Sequence, residues 1–240
     1  MSKLCVVSMS GGLDSTTLAY RALEDGYTII PINIDYGQKN IVEQKAFKII
    51  INEIQIRFPD QVLKVVDIDL TKVLASSLEL YQDLRDSGKV EEATELEFYT
   101  PSRNLLFSTI AAVVGEIAAI ATNVTEVKIG LGVHKHTVYD RDYWDISPEF
   151  VKRLNHLLEL NDCMLVEMYA PYANQTKDEI VKDAVVLKVP ILKTWTCYEP
   201  LLIVNTWLPC HTCEACVERQ AAGDKAGYSC INNYAIEDIK

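Results

Sequence analysis

The sequence predicts an α/β protein built on a doubly wound parallel sheet of Rossmann-like type, followed by a small C-terminal zinc-binding segment. Three observations carry that prediction. A glycine pair lies between the first apolar strand and the first helix, strands alternate with helical-period segments to about residue 190, and four cysteines crowd between Cys197 and Cys216. With 240 residues, 49% hydrophobic and 24% charged, the chain has the length for one large core, or a core with a small appendage.

Leu4 to Ser8 reads as a short buried strand, the glycine loop follows, and Ser15 to Glu24 reads as a helix that closes at Gly26. Thr28 to Ile34 is a second strand, Asp35-Tyr36-Gly37-Gln38 a turn at its carboxyl end, and Ile41 to Ile54 a helix, with a third strand at Val62 to Val66. Residues 76 to 100 are polar and acidic, with Asp83, Asp86, Glu91, Glu92, Glu95 and Glu97, and lack a period; they read as an excursion or lid. Pro101 to Asn104 open an apolar helix over Leu105 to Ala121. Ser108, Thr109, Gly115 and Glu116 interrupt it, which fits a buried helix better than the roughly 20 apolar residues of a membrane span. Glu126 to Gly132 is the fourth strand, Glu149 to Leu160 a helix, Met164 to Tyr169 the fifth strand and Thr176 to Leu187 another helix. Beyond Pro190 the composition turns to Trp, Cys and Pro. The expected division is therefore 1–190, an α/β domain, and 191–240, a metal-stapled segment.

Lysine and arginine number 23 against 34 aspartates and glutamates, so the formal charge of -11 repels phosphate backbones, and a nucleic-acid partner is not expected. The N-terminus shows no signal-peptide pattern and no membrane span is expected, so the chain is read as cytoplasmic. Seven cysteines, four of them clustered, suit a metal site in a reducing compartment better than a disulfide framework, leaving Cys5, Cys163 and Cys230 as free thiols.

In Ser10-Gly11-Gly12-Leu13-Asp14-Ser15, the glycines let backbone N–H groups converge on an anion at a helix N-terminus. The Ser10 and Ser15 hydroxyls add donors. Asp14 would repel a bare phosphate, so its expected task is to hold Mg²⁺. No lysine follows the glycines as it does in G-x-x-x-x-G-K-[ST], which argues against the ordinary ATPase or kinase loop. S-G-G-x-D-S at the first strand-helix junction resembles the enzymes that cleave ATP between the α and β phosphates. That resemblance implies nucleotide contacts along Ser8, Ser10, Gly11, Gly12, Leu13, Asp14, Ser15 and Thr16, with Gln38 at the end of the second strand placed to read an adenine edge or orient a nucleophile.

Cys210-x-x-Cys213-x-x-Cys216, with Cys197 thirteen positions upstream, offers the four thiolates of a structural tetrahedral Zn²⁺ site, which leaves no open coordination position. Cys230 is the alternative to Cys197 as the fourth ligand. Lys193 and Arg219 are near enough in sequence to favour thiolates. Arg103, ahead of an apolar helix, is a fixed cation suited to a phosphate or carboxylate, and Lys177 at a helix start opposes the helix dipole and so calls for a compensating anion.

Together these features resemble the 7-cyano-7-deazaguanine synthases, the QueC family. The match runs through Asp35-Tyr36-Gly37-Gln38 with Glu43, Thr100-Pro101-Ser102-Arg103-Asn104, Phe150-Val151-Lys152 with Leu154-Asn155-His156, and Ala170-Pro171. It continues through Thr176-Lys177-Asp178-Glu179-Ile180, Thr194-Trp195-Thr196-Cys197-Tyr198 and Cys216-x-x-Arg219. The resemblance implies a PP-loop fold, with ATP, Mg²⁺ and Zn²⁺ as cofactors and 7-carboxy-7-deazaguanine and ammonia as substrates in queuosine biosynthesis. It also implies a homodimer. Asp14, Ser15, Arg103 and Lys177 become the catalytic candidates, and Tyr143, Asp145, Arg103 and Asn104 the substrate-binding ones.

The chain departs from the family at the substrate loop. Tyr143-Trp144-Asp145-Ile146-Ser147 replaces the family's Y-P-D-C-R run, His134-Lys135-His136 replaces an acidic pair, and His211 stands at the glycine usual after the first clustered cysteine. These departures raise a second reading, a QueC-like enzyme of bacterial defence that passes the activated deazaguanine to a protein amine. A tRNA-modifying PP-loop enzyme fits the acidic charge poorly, and retention of Asp14 and Ser15 argues against a non-catalytic nucleotide-binding module.

Overall fold

The computed structural model describes residues 3–37, 41–72, 86–87, 100, 102–135, 143–161 and 164–237. Strand β1 (Leu4–Ser8) runs into helix α1 (Leu13–Glu24), then β2 (Thr28–Asp35), α2 (Ile41–Arg57) and β3 (Val66–Asp69). Helix α3 (Arg103–Thr122), β4 (Glu126–Gly130), a 3₁₀ turn at Trp144–Ile146, α4 (Pro148–Leu158), β5 (Leu165–Tyr169) and α5 (Lys177–Val186) complete the α/β part. Among the described residues these strands form one parallel sheet in the order β3-β2-β1-β4-β5. Leu4 sits between Thr28 and Val127, Ile32 faces Val66, and Glu126 faces Leu165.

The two faces of the sheet explain the winding. Successive side chains of a strand point to opposite faces, so Cys5 and Val7 join a core with α1, α2 and α5, while Leu4 and Val6 join a second core with α3 and α4. Each face is covered by helices, the condition for an all-parallel sheet, and the continuous apolar run of β1 follows from burial on both sides. From β1 the chain steps to β2 on one side and later returns to β4 on the other, so the switch point lies between β1 and β4.

Most predicted elements fall within one to three residues of the observed ones. The third strand does not. It lies at Val66–Asp69, with Val62 reduced to a single bridge to Ile29, because Val66-Asp67-Ile68-Asp69 has the inside-outside alternation of a sheet edge. Asp35 is strand rather than turn, and its Oδ1 accepts from the Gly37 N–H at 3.0 Å. The acidic excursion falls outside the described residues except for Asp86, Ser87 and Thr100.

The apolar helix is the second correction, since α3 is buried along one stripe only. Ser108, Ala111, Ala112, Gly115 and Ala119 are buried, the alanines in one core with Leu4, Val6 and Val127, while Val113, Ile117 and Ile120 are 54%, 63% and 74% exposed. A helix laid on a sheet buries one face, so apolarity all round does not imply burial all round. By length and composition alone α3 also passes as a membrane span.

After a second 3₁₀ turn (Ile191–Lys193) the chain forms β6 (Leu201–Ile203), β7 (Thr206–Leu208), α6 (Glu214–Ala226) and β8 (Ile236–Glu237). The three strands make an antiparallel sheet in the order β6-β7-β8. Ala222 and Ile231 enter the core of α1, α2 and α5, while Trp195, Cys197, Cys216, Tyr234 and Ile236 pack with Val42 and Ala46 of α2.

At Gly115 an added Cβ would stand 2.6 Å from Val127 Cγ1 and 3.2 Å from Val6 Cγ2. Gly115→Ala gains about 1 kcal/mol of helix propensity but forces overpacking that costs about 1–3 kcal/mol. The contact with a stiff β-branched valine makes the cost win. We expect a lower urea midpoint; an unchanged or higher one would show that α3 lifts off the sheet freely.

Candidate active site

The loop after β1 is built by backbone constraint. Met9 N–H still donates to the Ile32 carbonyl at 2.9 Å, after which the chain leaves the sheet. Gly11 adopts φ +78°, and a Cβ there would stand 2.4 Å from the Phe47 nitrogen and 2.8 Å from the Ala46 carbonyl carbon. Only glycine lets the loop press against α2 in this way. On the other side its carbonyl accepts from the Trp195 N–H at 2.9 Å. Gly12 caps α1 without a side chain, so the N–H groups of Leu13, Asp14 and Ser15 have no intrahelical acceptor. Ser10 and Ser15 tie the loop to itself: Ser10 N–H donates to Ser15 Oγ at 3.3 Å and Gly12 N–H to Ser10 Oγ at 3.2 Å. Leu13 and Thr16 have side chains buried in the core, so Leu13 has its main chain alone to offer a ligand.

Asp14 meets a cation from another element. Lys177, the first residue of α5 and 6% exposed, contacts Asp14 Oδ2, and His134 Nε2 lies 3.7 Å from the same oxygen. The anion that Lys177 requires at its helix start is thus inside the protein. α5 is set in place by Glu179, which accepts from the Thr176 N–H at 2.8 Å, and by the Lys135 N–H, which donates to the Gln175 carbonyl at 2.8 Å. Burial pushes the Asp14 carboxyl up, but Lys177 and His134 outweigh it and hold its pKa below the ordinary value. Oδ1 of Asp14 is buried without a hydrogen-bond partner in the protein. An orphaned carboxylate oxygen beside the open N–H groups of a helix start is a fitting ligand atom for Mg²⁺.

The second group of predicted residues gathers at the start of α3. Arg103 Nη1 donates to the Tyr36 hydroxyl at 3.3 Å, and its guanidinium lies 6.0 Å from the Tyr36 ring centre. Burial opposes the charge on Arg103, yet the Tyr36 oxygen keeps its pKa above the ordinary arginine value. Asp145 is 3% exposed, and its Oδ2 accepts from the Asn104 N–H at 3.1 Å. The carboxylate therefore caps α3 from the 3₁₀ turn. Tyr143 precedes that turn, and Ser147 caps α4 by accepting from the Phe150 N–H at 3.1 Å. Beside them lies a hollow of about 400 Å³ lined by Leu105, Trp144, Phe150, Leu154 and Leu157. Gln38 lies outside the described residues.

Cys197, Cys210, Cys213 and Cys216 bring their sulfurs within 4.8 Å of one another. The Cys197–Cys210 and Cys197–Cys213 sulfur separations are 3.5 and 4.0 Å. Zn–S bonds of about 2.3 Å in a tetrahedron place sulfurs about 3.8 Å apart, so the cluster fits Zn²⁺. Main-chain N–H groups of Cys210 and Cys213 point at the Cys197 and Cys210 sulfurs at 3.2 and 3.3 Å. Hydrogen bonding from the Cys197 thiol pulls Cys216 down to about 5 against the push of burial. Cys230 is exposed and outside the cluster, Cys5 is buried, and Cys163 lies outside the described residues. Lys193 does not serve the thiols: it pairs with Glu53 at 2.6 Å. Arg219 is buried among main-chain carbonyls. Trp195, His134 and Tyr36 are the site residues that motif reading passed over; each lies inside or beside a quoted motif, but its contact is set by distant elements.

The family described as "Queuosine biosynthesis protein QueC" matches residues 4–227. A relative named 7-cyano-7-deazaguanine synthase from Caldicellulosiruptor bescii is 31% identical, covering 97% of this chain and 97% of its own. Its counterpart from Thermoplasma volcanium is 32% identical over 95% and 90%. That from Pseudoalteromonas translucida is 29% identical over 92% and 94%.

Two outcomes follow from this geometry. Asp14→Asn removes the charge that compensates Lys177 and is expected to cost about 3 kcal/mol at neutral pH. Because the folded pKa of Asp14 is depressed, its contribution is fully present above 3.8 and lost as the pH falls through the folded value. The stability gap between wild type and variant, read by urea unfolding, should therefore close in acid; a gap that persists there would deny the ion pair its role. Cys213→Ser is expected to reduce bound zinc, measured by elemental analysis, together with the thermal midpoint. Equal folding without metal would refute a structural site.

Proposed function

Because the chain belongs to the queuosine biosynthesis protein QueC family, we propose that it is an ATP-dependent carbon-nitrogen ligase that activates 7-carboxy-7-deazaguanine by adenylation. The single observation that carries the reading is the Ser10–Ser15 loop, with the N–H groups left open at the start of α1 and the buried Lys177 paired with Asp14 beside them. A carboxylate is a poor electrophile until one of its oxygens becomes a leaving group. Transfer of AMP to that oxygen, with loss of pyrophosphate, supplies one.

Negative charge then grows on the departing pyrophosphate. In this reading the N–H groups at the start of α1, the two serine hydroxyls and Lys177 would meet it, and preorganised donors of this kind supply much of the rate enhancement in many enzymes. Mg²⁺, held through Asp14 Oδ1, would neutralise charge on the same oxygens. Ammonia attacks the acyl carbon and AMP leaves, giving the amide; adenylation of the amide oxygen and loss of AMP with two protons give the nitrile. Arg103 and Asn104 face the substrate in this reading, with Tyr143 at its edge. Asp145 serves it by fixing the start of α3. The four thiolates would fill the zinc shell, which assigns that metal to structure rather than chemistry.

The altered substrate loop favours one other acceptor, a protein amine in place of ammonia, as in QueC-like enzymes of bacterial defence. Asp145 is drawn inward to Asn104, which leaves recognition beyond it to Trp144 and the apolar hollow.

Exchange of labelled pyrophosphate into ATP, dependent on 7-carboxy-7-deazaguanine, tests the first half-reaction. Exchange is expected in the wild type, with a loss on the order of 10²–10³-fold in Asp14→Ala. No exchange with this carboxylate would sink the proposal. Mass spectrometry with ammonia as the sole amine then separates the acceptors, since a nitrile product excludes the protein-ligation reading.

A further inference from the structure

The contact between the cysteine segment and the phosphate loop comes down to one peptide. The Gly11 carbonyl accepts from the Trp195 main-chain N–H at 2.9 Å. A trans peptide places its C=O and the following N–H on opposite sides. The same bond therefore turns the Gly12 N–H away from Trp195, to the side where Ser10 Oγ lies at 3.2 Å. A Gly-Gly peptide is the least hindered of all to rotate as a unit. Half a turn would present a carbonyl oxygen to the anion and reverse a local dipole of about 3.5 D.

Trp195 is itself held unusually firmly for a residue outside helix and strand. It is 1% exposed, its indole Nε1–H donates to the Cys197 carbonyl at 3.0 Å, and its ring stands edge-on to Tyr234 at 5.0 Å. Arg219 of α6 organises the stretch on both sides of it. Fully buried, Arg219 donates to the carbonyls of Ile191 at 2.8 Å, Thr194 at 3.4 Å and Ile231 at 3.1 Å, and to Thr196 Oγ1 at 2.7 Å. Burying a cation whose bonded partners are all neutral is costly, and an apolar side chain would fill the space at less expense. The rigid fork of donors is what a guanidinium offers and an ammonium does not.

We propose that the Trp195 main-chain N–H is a positioning group that fixes the polarity of the Gly11–Gly12 peptide, held in register by Arg219 of the cysteine segment. This rests on the loop binding phosphate, as in the reading above. The cysteine segment then acts on nucleotide binding directly, through the loop's peptide orientation.

Calorimetric titration with pyrophosphate in the presence of Mg²⁺ tests it. Wild type is expected to bind, and Arg219→Lys to bind at least about tenfold more weakly while remaining folded. Arg57→Lys is the control: Arg57 ties α2 to the Leu187 carbonyl at 2.7 Å, away from the loop, and its loss should lower the thermal midpoint but leave pyrophosphate affinity within about twofold. If Arg219→Lys does not fold, Thr196→Val, which removes one acceptor, is expected to weaken binding about threefold or more. Pyrophosphate should also slow hydrogen exchange at the Trp195 amide about tenfold in wild type. Affinity indifferent to Arg219 and Thr196, or unchanged exchange at Trp195, overturns the inference alone. Failure of the wild type to bind pyrophosphate with Mg²⁺ present defeats the phosphate-loop reading as well.

Discussion

The site depends on the burial of β1 between two parallel neighbours. With β2 hydrogen-bonded to one edge and β4 to the other, and with helices on both faces, β1 has no freedom in position or register. Its carboxyl end is therefore the most constrained point at which a loop can begin. Since the crossovers leave β1 in opposite directions, the loops after β1 and β4 part there and open a crevice. Ser10–Ser15 enters from one side and His134 from the other, and α5 closes the gap with Lys177.

Electrostatics refine that constraint. The chain carries a net charge of -11, yet the groups gathered around the crevice include buried Lys177 and Arg219 and half-buried Arg103. Bulk charge governs long-range encounters and is screened within about 8–10 Å; the local cations act at contact distance and within a protein interior. A small polyanion can thus be held by a protein whose surface repels a long one.

Periodicity made the sheet, its winding and most element bounds legible, because burial of both faces leaves a continuous apolar run such as Leu4–Val7. It failed at β3, where an edge strand is only half apolar, and at α3, where composition could not say which face meets the sheet. The cysteine cluster was legible from spacing, since ligands three residues apart around a helix start have few geometries open to them. Partnerships across elements were not. The Asp14–Lys177 pair joins residues 163 positions apart, and Asp145 with Asn104 spans 41. Each residue stood out by motif, but which atom it would meet is a property of packing.

Lys177 shows why the pairing matters to the chemistry proposed. A lysine 6% exposed at a helix N-terminus faces both desolvation and the positive end of the dipole. Without a nearby anion an ammonium there would be strongly disfavoured, and with it the capacity to hold phosphate. Asp14 supplies that anion. The pair is close to neutral, so its net pull on a bare phosphate is small. The remaining oxygen of Asp14, buried and unpartnered, is placed where a cation arriving with the phosphate would restore the imbalance. On the proposed function the arrangement would therefore favour a nucleotide that brings its own divalent ion over an anion that comes alone, a selectivity that follows from the charge count at two residues.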